Sequence, residues 1–479
     1  MHARHKLDVA AAVIALCAFT AMDAAVSPAQ EQVIATLHLT AVQFAWVSAA
    51  QFLFIAISAP LIGRCGDVFD KRAVLAVSLG IACIGGLFAR SATTVVAYML
   101  TQTLLCAWVG AGTVAMALIA EVSAPERAAR SQGLYGAVTG FFASAALLGA
   151  GNVMDVLGPL SLFWLPAVVA VPCVLVLGRW LLRRSPPGTR GEGSGLRRLD
   201  VRGGLVLGGM LALLSVALQF ITRGGWMTAL SVACLAAIVP VFPRWVREQR
   251  SHESPFVDVG VLGRRDVACI HFVSLTLGVG TTAIYVLLPM LVTSASAAGA
   301  HYASTALVVG GLLFPTGLTS VLLAPFYAPL DRHLGPRGVL VLGLACIVAS
   351  LVIPVAWHQD IWPLLACTTL FGIGISLAYT EGITELLRIV PAERMAGASG
   401  TFQLAKTIGS LLGATGFSVV LGASGDTGEV AGLAQLGTAF AIAAVVCAGG
   451  MAAALGLRAR AGMAPDVGEN RLVPSQLED

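Results

Sequence analysis

A chain of 479 residues that is 57% hydrophobic and only 11% charged, with a mean hydropathy of +0.86, falls outside the soluble globular range and belongs in a bilayer. Its formal net charge of +4 does not mark a nucleic-acid partner, because the basic residues stand in short clusters between apolar runs, without the aromatic interleaving that base stacking needs. The ten cysteines are scattered singly, with no CxxC and no Cys/His spacing suited to zinc, so they read as small apolar residues of helix interiors.

A membrane-spanning helix needs about 20 apolar residues. Fourteen such runs follow one another, at 7–28, 44–63, 73–92, 94–120, 133–153, 160–182, 203–221, 226–246, 267–293, 303–330, 338–357, 361–380, 398–421 and 433–457. They are continuous rather than alternating, which excludes a barrel and predicts an all-α polytopic membrane protein with fourteen transmembrane helices. The first run follows a basic head and has the look of a secretory signal. It is as long as the later spans, however, and its removal would spoil the charge alternation, so it is predicted to remain as the first helix. With the amino end cytoplasmic, 26 of the 29 Lys and Arg lie on the cytoplasmic side, Arg90 and Arg223 lie opposite, and Lys406 sits within a run, as the positive-inside rule requires.

The polar insert after the sixth run, and a second charged stretch after the eighth, divide the chain into six, two and six helices. The expected units are an N-terminal six-helix bundle over 1–182, a cytoplasmic linker over 183–202, two additional helices and a cytoplasmic loop over 203–266, a C-terminal six-helix bundle over 267–460 and a disordered cytoplasmic tail over 461–479. A weak repeat supports the division: "APLDRHLGPR", Ala328 to Arg337, occupies in the last six helices the place that "PLIGRCGDVFDKR", Pro60 to Arg72, occupies in the first six. Duplicated halves around a midplane site are an architecture of secondary transporters.

In the Pro60 to Arg72 stretch, read as a tight cytoplasmic hairpin, Gly63 and Gly66 permit the turn and close helix contact. Asp67 is placed to cap the following helix or to pair with Lys71 or Arg72. An ion pair formed in only one conformation biases a two-state equilibrium by its whole difference, which makes this turn a candidate gate latch.

Charges inside spans are expensive and face a cavity or a partner. Asp23 and Lys406 are the two well inside runs. At ~1.5 Å per residue Asp23 lies roughly 24 Å above Leu7, in the outward third of its helix, and Lys406 roughly 12 Å into its own. Asp23 reads as a proton or cation site, or as a solvated cap before Pro28; Lys406 reads as a counter-charge, an anion holder or a snorkelling lysine. Glu381 and Glu385 share a helical face near Arg388, where a solvated helix end with a local Glu385–Arg388 pair is the expectation, and Glu121 at the matching end of the fourth run reads alike. Gln51, Gln102, Asn152, Gln403 and Tyr285 either line a central cavity or bond between helices. His271 reads as a packed, hydrogen-bonded residue, and Gly136/Gly140, Gly204/Gly208 and Gly409/Gly413 as packing points.

The Pro60 to Arg72 turn resembles the signature loop of the major facilitator superfamily, and the six-two-six division is similar to its fourteen-helix drug:proton antiporter branch, of multidrug or antibiotic efflux type. "MDAAVSPA", "FGIGISLAYTEGITELL" and "GTFQLAKTIGSLLGATG" share the likeness. By that resemblance Gly63, Gly66, Asp67, Lys71 and Arg72 match the loop signature, Asp331, Arg332, Gly335 and Arg337 match its echo in the second half, Asp23 matches the acid of the first-helix pattern, and Lys406 stands where an arginine is frequent. The resemblance implies alternating-access export of small, largely apolar or cationic organic molecules in exchange for protons. It also implies a multi-pass protein of the inner membrane with both termini cytoplasmic, acting as a monomer, with the proton gradient as energy source and no cofactor, ATP or nucleic acid. An enzyme is not expected, since the chain shows no nucleophile elbow, zinc pair or phosphate-binding glycine loop. Four departures stand out: Asp70 where glycine is usual, Val68 where arginine is common, no basic residue in the fourth run, and Leu147 in place of a fifth-helix proline. They keep a facilitator or proton symporter of the same fold open beside the antiporter, and a non-transporting sensor or scaffold behind both.

Overall fold

The computed structural model describes residues 2–37, 41–122, 125–158, 160–179, 200–220, 225–252, 255–257, 259–302, 306–389, 395–422 and 432–457. Among them the regular structure is entirely helical. The chain begins with α1 (His2–Thr36), α2 (Ala41–Val68), α3 (Lys71–Ala89), α4 (Val95–Leu105), α5 (Ala107–Val122), α6 (Pro125–Leu157) and α7 (Ser161–Gly178). An antiparallel pair, α8 (Val201–Phe220) and α9 (Gly225–Ser251), comes next, then the single turn α10 (Val259–Leu262). The last set is α11 (Arg265–Thr282), α12 (Leu288–Ala297), α13 (Ala306–Leu323), α14 (Tyr327–Ala356), α15 (Ile361–Ile389), α16 (Met395–Gly422) and α17 (Leu433–Leu455). Among the described residues ten stretches are long and apolar enough to cross a membrane, and Leu134–Gly149, Val201–Leu214 and Val308–Leu323 are shorter apolar segments. The protein is an all-helical, multi-pass membrane protein.

The fourth and ninth apolar runs are each interrupted for a local reason. The fourth breaks at Cys106, with α4 beginning under a Thr94 cap whose hydroxyl accepts the Ala97 N–H at 3.2 Å. The ninth passes through a π-helical turn, Ala283–Leu287, just before Pro289. Proline cannot donate to the carbonyl four residues back, and the wider turn absorbs the missing bond. The predicted linker up to residue 199 and the predicted tail lie outside the described residues. Asp200, assigned to that linker, instead starts α8 by accepting the Gly203 N–H at 2.8 Å.

One buried apolar cluster is drawn from residues 11–177, with α1 on α6 and α7 and α3 on α7. A second is drawn almost wholly from residues 267–457, with α14 on α15 and α17 and α11 on α16. The two sets meet along α2 and α16 and along α6 and α13. At α6–α13 a Cβ built on Gly317 would lie 2.1 Å from the Gly140 carbonyl oxygen, and one on Gly310 would lie 2.5 Å from that of Leu147. Lipid offers no hydrophobic drive between helices, so such glycine contacts hold the seam by close backbone packing. The α8 helix lies over the other seam, touching both α2 and α16, and α9 packs on α8.

Candidate functional site

The charged turn is shorter than its sequence suggests. Pro60 to Val68 continues α2 as helix, so Gly63 and Gly66 shape no turn; Gly66 instead lets Val114 of α5 approach, since a Cβ there would sit 2.9 Å from Val114 Cγ2. The cap of α3 is Asp70 rather than Asp67: its Oδ1 accepts the N–H groups of Arg72 at 2.8 Å and Ala73 at 3.3 Å. The departure from the family pattern at position 70 therefore has a local structural role. Lys71 pairs with Glu121 at the end of α5, Nζ to Oε2 2.8 Å. Arg72, only 7% exposed, turns inward to Asp8, which is fully buried at the start of α1 and also takes Arg179 at 2.5 Å. This Asp8–Arg72–Arg179 triad ties α1, α3 and the end of α7 together, and Asp8 and Arg179 were missed in the sequence. An acid at the edge of an apolar run, with two arginines due on the same side of the membrane, was the available signal.

The echo in the second half turns at Gly335, whose φ of +67° suits glycine. Arg332 is exposed, and Arg337 donates to the Leu455 carbonyl at the end of α17. Asp331 pairs with Arg388 at 3.4 Å, and the same guanidinium takes Glu385 and, at 3.7 Å, Glu381. Burial works against the Arg388 charge, but Glu385, Glu381 and Asp331 outweigh it and leave its pKa above the ordinary guanidinium value. The expected Glu385–Arg388 pair is present. That end is partly solvated, with the Arg388 side chain 46% exposed, but Glu381 is withdrawn from it, 5% exposed.

The other arrangement is central. α1 continues through Pro28 to Thr36, so Asp23 caps no helix end, and it lies near the outer end of the apolar stretch Leu7–Val26, in the outward third expected of it. Asp23 and Lys406, from opposite halves of the chain, act on one another electrostatically. No ion pair within 4.0 Å joins them. Asp23 is exposed and Lys406 half-exposed. The Lys406 ammonium sits 5.4 Å from the centre of the Tyr379 ring, a cation–π contact, and the Tyr379 hydroxyl donates to Gln403 Oε1 at 3.4 Å. Tyr285, presented by the π turn, bonds Thr316 of α13 at 3.2 Å and feels the Asp23 charge, as does Cys106 at the α4–α5 break.

The position of Lys406 is set by α11. Gly278 and Gly409 bring the two backbones together, so that a Cβ on Gly278 would stand 2.0 Å from the Lys406 carbonyl oxygen. Ser274 donates to Phe402 O at 2.7 Å, and Ser410 donates to Gly278 O at 3.2 Å. Gln51 belongs to a different contact: its Nε2 donates to Gln102 Oε1 at 3.0 Å, tying α2 to α4. His271 is hydrogen-bonded as expected, Nδ1 to Val267 O at 2.9 Å and Nε2 to Thr401 at 3.1 Å. Gly140, Gly204, Gly208, Gly409 and Gly413 are packing points, whereas Gly136 has open space before it. The side chain of Asn152 lies outside the described residues. No group of three or more His, Cys, Asp or Glu among the described residues could hold a metal.

A family model described as the Major Facilitator Superfamily matches residues 11–264, more than half of the chain. An uncharacterized transporter, YebQ of Escherichia coli (strain K12), is 26% identical over 439 residues, covering 89% of this chain and 91% of the relative. The multidrug resistance protein Stp of Mycobacterium tuberculosis (strain CDC 1551 / Oshkosh) is 23% identical over 383 residues, covering 79% and 68%. Among solved structures, the human organic anion transporter MFSD10 (TETRAN) is similar with a TM-score of 0.59 at 15% identity, covering 92% of this chain and 99% of that one. The nucleoside transporter NupG is similar with a TM-score of 0.56 at 13% identity, covering 94% and 98%.

Proposed function

The chain belongs to the Major Facilitator Superfamily, a class of transporters rather than enzymes, and from this premise we propose that it exports small organic molecules of drug or antibiotic type in exchange for protons. Fourteen crossings, grouped six, two and six, place both termini on the cytoplasmic side of the inner membrane. The two six-helix halves rock about the central opening, exposing it to each side in turn. The proton gradient drives the cycle, with no cofactor and no ATP, and a single copy is enough because the pathway runs between its own halves.

What supports the reading is that Asp23 of the first half and Lys406 of the second lie close enough to act on one another electrostatically. A carboxylate there can be ionised when the opening faces one solution and neutral when it faces the other, which is what coupling to a proton gradient needs. The multidrug name of the mycobacterial relative supports export. Everted vesicles test it: Asp23→Asn is expected to abolish proton-linked efflux, and efflux undiminished in that variant would remove Asp23 from coupling. The fourth run, free of basic residues, favours as a second reading a facilitator or symporter of the same fold. Transport that persists after collapse of the proton gradient would select the facilitator.

A further inference from the structure

We infer that α8 and α9 form a strap across the α2–α16 seam, fastened by Asp200 and Gln249, that resists parting of the two halves at the end where α2 finishes and α16 begins. It rests on the transport reading only in that the halves move relative to one another, and it is independent of cargo and of coupling. α8 is the bridging element: it touches both α2 and α16, while α9 meets α8 and α10 and, among the described residues, makes no comparable contact with either half. A Cβ on Gly208 would stand 2.2 Å from Ile57 Cδ1, so α8 lies directly on α2. Met210 and Leu211 of α8 and Phe256, beyond α9, share one buried apolar cluster with Leu404 of α16. Leu61 of α2 and Ile408 of α16 pack against that cluster.

The two ends of the pair are tied unequally. Residues 180–199 join α7 to α8, and ~20 residues can span about 66 Å, too long a connection to hold α8 to the first half. The other connection is short and hydrogen-bonded. Asp200, at the start of α8, accepts from the Gln249 side-chain amide of α9 and from the Phe256 N–H at 3.4 Å. Gln249, 2% exposed, in turn accepts the Val257 N–H at 3.0 Å. Trp245 Nε1 donates to Gly203 O at 2.8 Å, and the Phe256 ring lies on Gly204, where a Cβ would stand 2.7 Å from it. The chain leaving α9 is thereby fastened to the start of α8, and it passes through α10 to α11 of the second half. Anchored to the second half and lying on α2 of the first, α8 must slide off one of them when this end of the seam parts. Apolar contact alone opposes that sliding weakly, because lipid replaces it. The hydrogen bonds of the buried Gln249 side chain have no such substitute, so they set the restraint.

Hydrogen–deuterium exchange of the purified full-length chain in lipid nanodiscs, read by mass spectrometry with no cargo added, tests the strap. In Gln249→Leu the peptides covering 57–68 of α2 and 398–408 of α16 are expected to exchange about tenfold faster than in the wild type, the scale of one charge-assisted hydrogen bond. Peptides covering 140–147 and 310–317, at the α6–α13 seam, should be unchanged. Equal acceleration at both seams, acceleration confined to 200–206 and 245–257, or no change anywhere would overturn the inference, since the fastening would then hold no more than its own corner. Acceleration through the α14–α15 core as well would mean that the variant has not folded. Gln249→Asn, too short to reach Asp200 and Val257 together, then decides by the same patterns. Because no cargo is used, failure here leaves the transport reading standing, and the outcome of the Asp23→Asn efflux assay leaves the strap standing.

Discussion

Replacing Gly409 by alanine adds a methyl group where the α11 backbone already stands. The new Cβ would lie 1.9 Å from the Leu275 carbonyl oxygen, whereas ordinary van der Waals contact begins at 3.4 Å. The helices must therefore part by about 1.5 Å, and both atoms in conflict are backbone or Cβ, so no side chain can swing aside; overpacking of this kind costs about 1–3 kcal/mol or more. The displacement also strains the Ser410–Gly278 and Ser274–Phe402 hydrogen bonds that stitch the same pair. It shifts Lys406, one turn away on α16, relative to Asp23. Gly416→Ala, on the same helix with nothing within 4 Å of its Cβ, is the control for the change in residue type. Thermal inactivation in detergent should fall clearly for Gly409→Ala and not for Gly416→Ala, and proton-linked transport should fall with it. Equal midpoints for the two variants would refute the claim that backbone contact sets this seam.

Asp8→Asn removes the carboxylate that Arg72 and Arg179 share. It should cost about 3–5 kcal/mol, measured by the same thermal assay, and an unchanged midpoint would show that the triad does not bind α1 to α3 and α7. The Lys71–Glu121 pair is partly solvated, with side-chain exposures of 26% and 49%. A double-mutant cycle should therefore return a coupling of only ~0.2–1 kcal/mol; a larger value would mark it as more than a surface pair.

The all-helical nature of the chain and its membrane setting were readable because hydropathy is a sum over neighbours in sequence and lipid demands internally bonded backbone. Among the described residues the apolar runs fall largely on helix, and ten stretches are long and apolar enough to cross a membrane. Local exceptions were harder to see. Asp67 was expected to cap α3, but α2 continues as helix to Val68 and Asp70 takes the cap. Pro28 looked like an end for the first helix because the residue before a proline avoids helical geometry, yet α1 continues past it. Glu381 and Glu385 were alike on paper. Their difference in burial comes from where Asp331, distant in the chain, meets Arg388.

Composition alone determined that lipid is the solvent, that helices span it, and that Asp23 and Lys406 are the charges such a medium must accommodate. Only the tertiary structure decided that these two, from opposite halves, act on one another electrostatically, and that Asp8 holds Arg72 and Arg179. Hydropathy accumulates along the chain and is visible residue by residue. Which side of each helix turns inward depends on glycine contacts such as Gly278 with α16 and Gly317 with α6, made between segments that are neighbours only after folding.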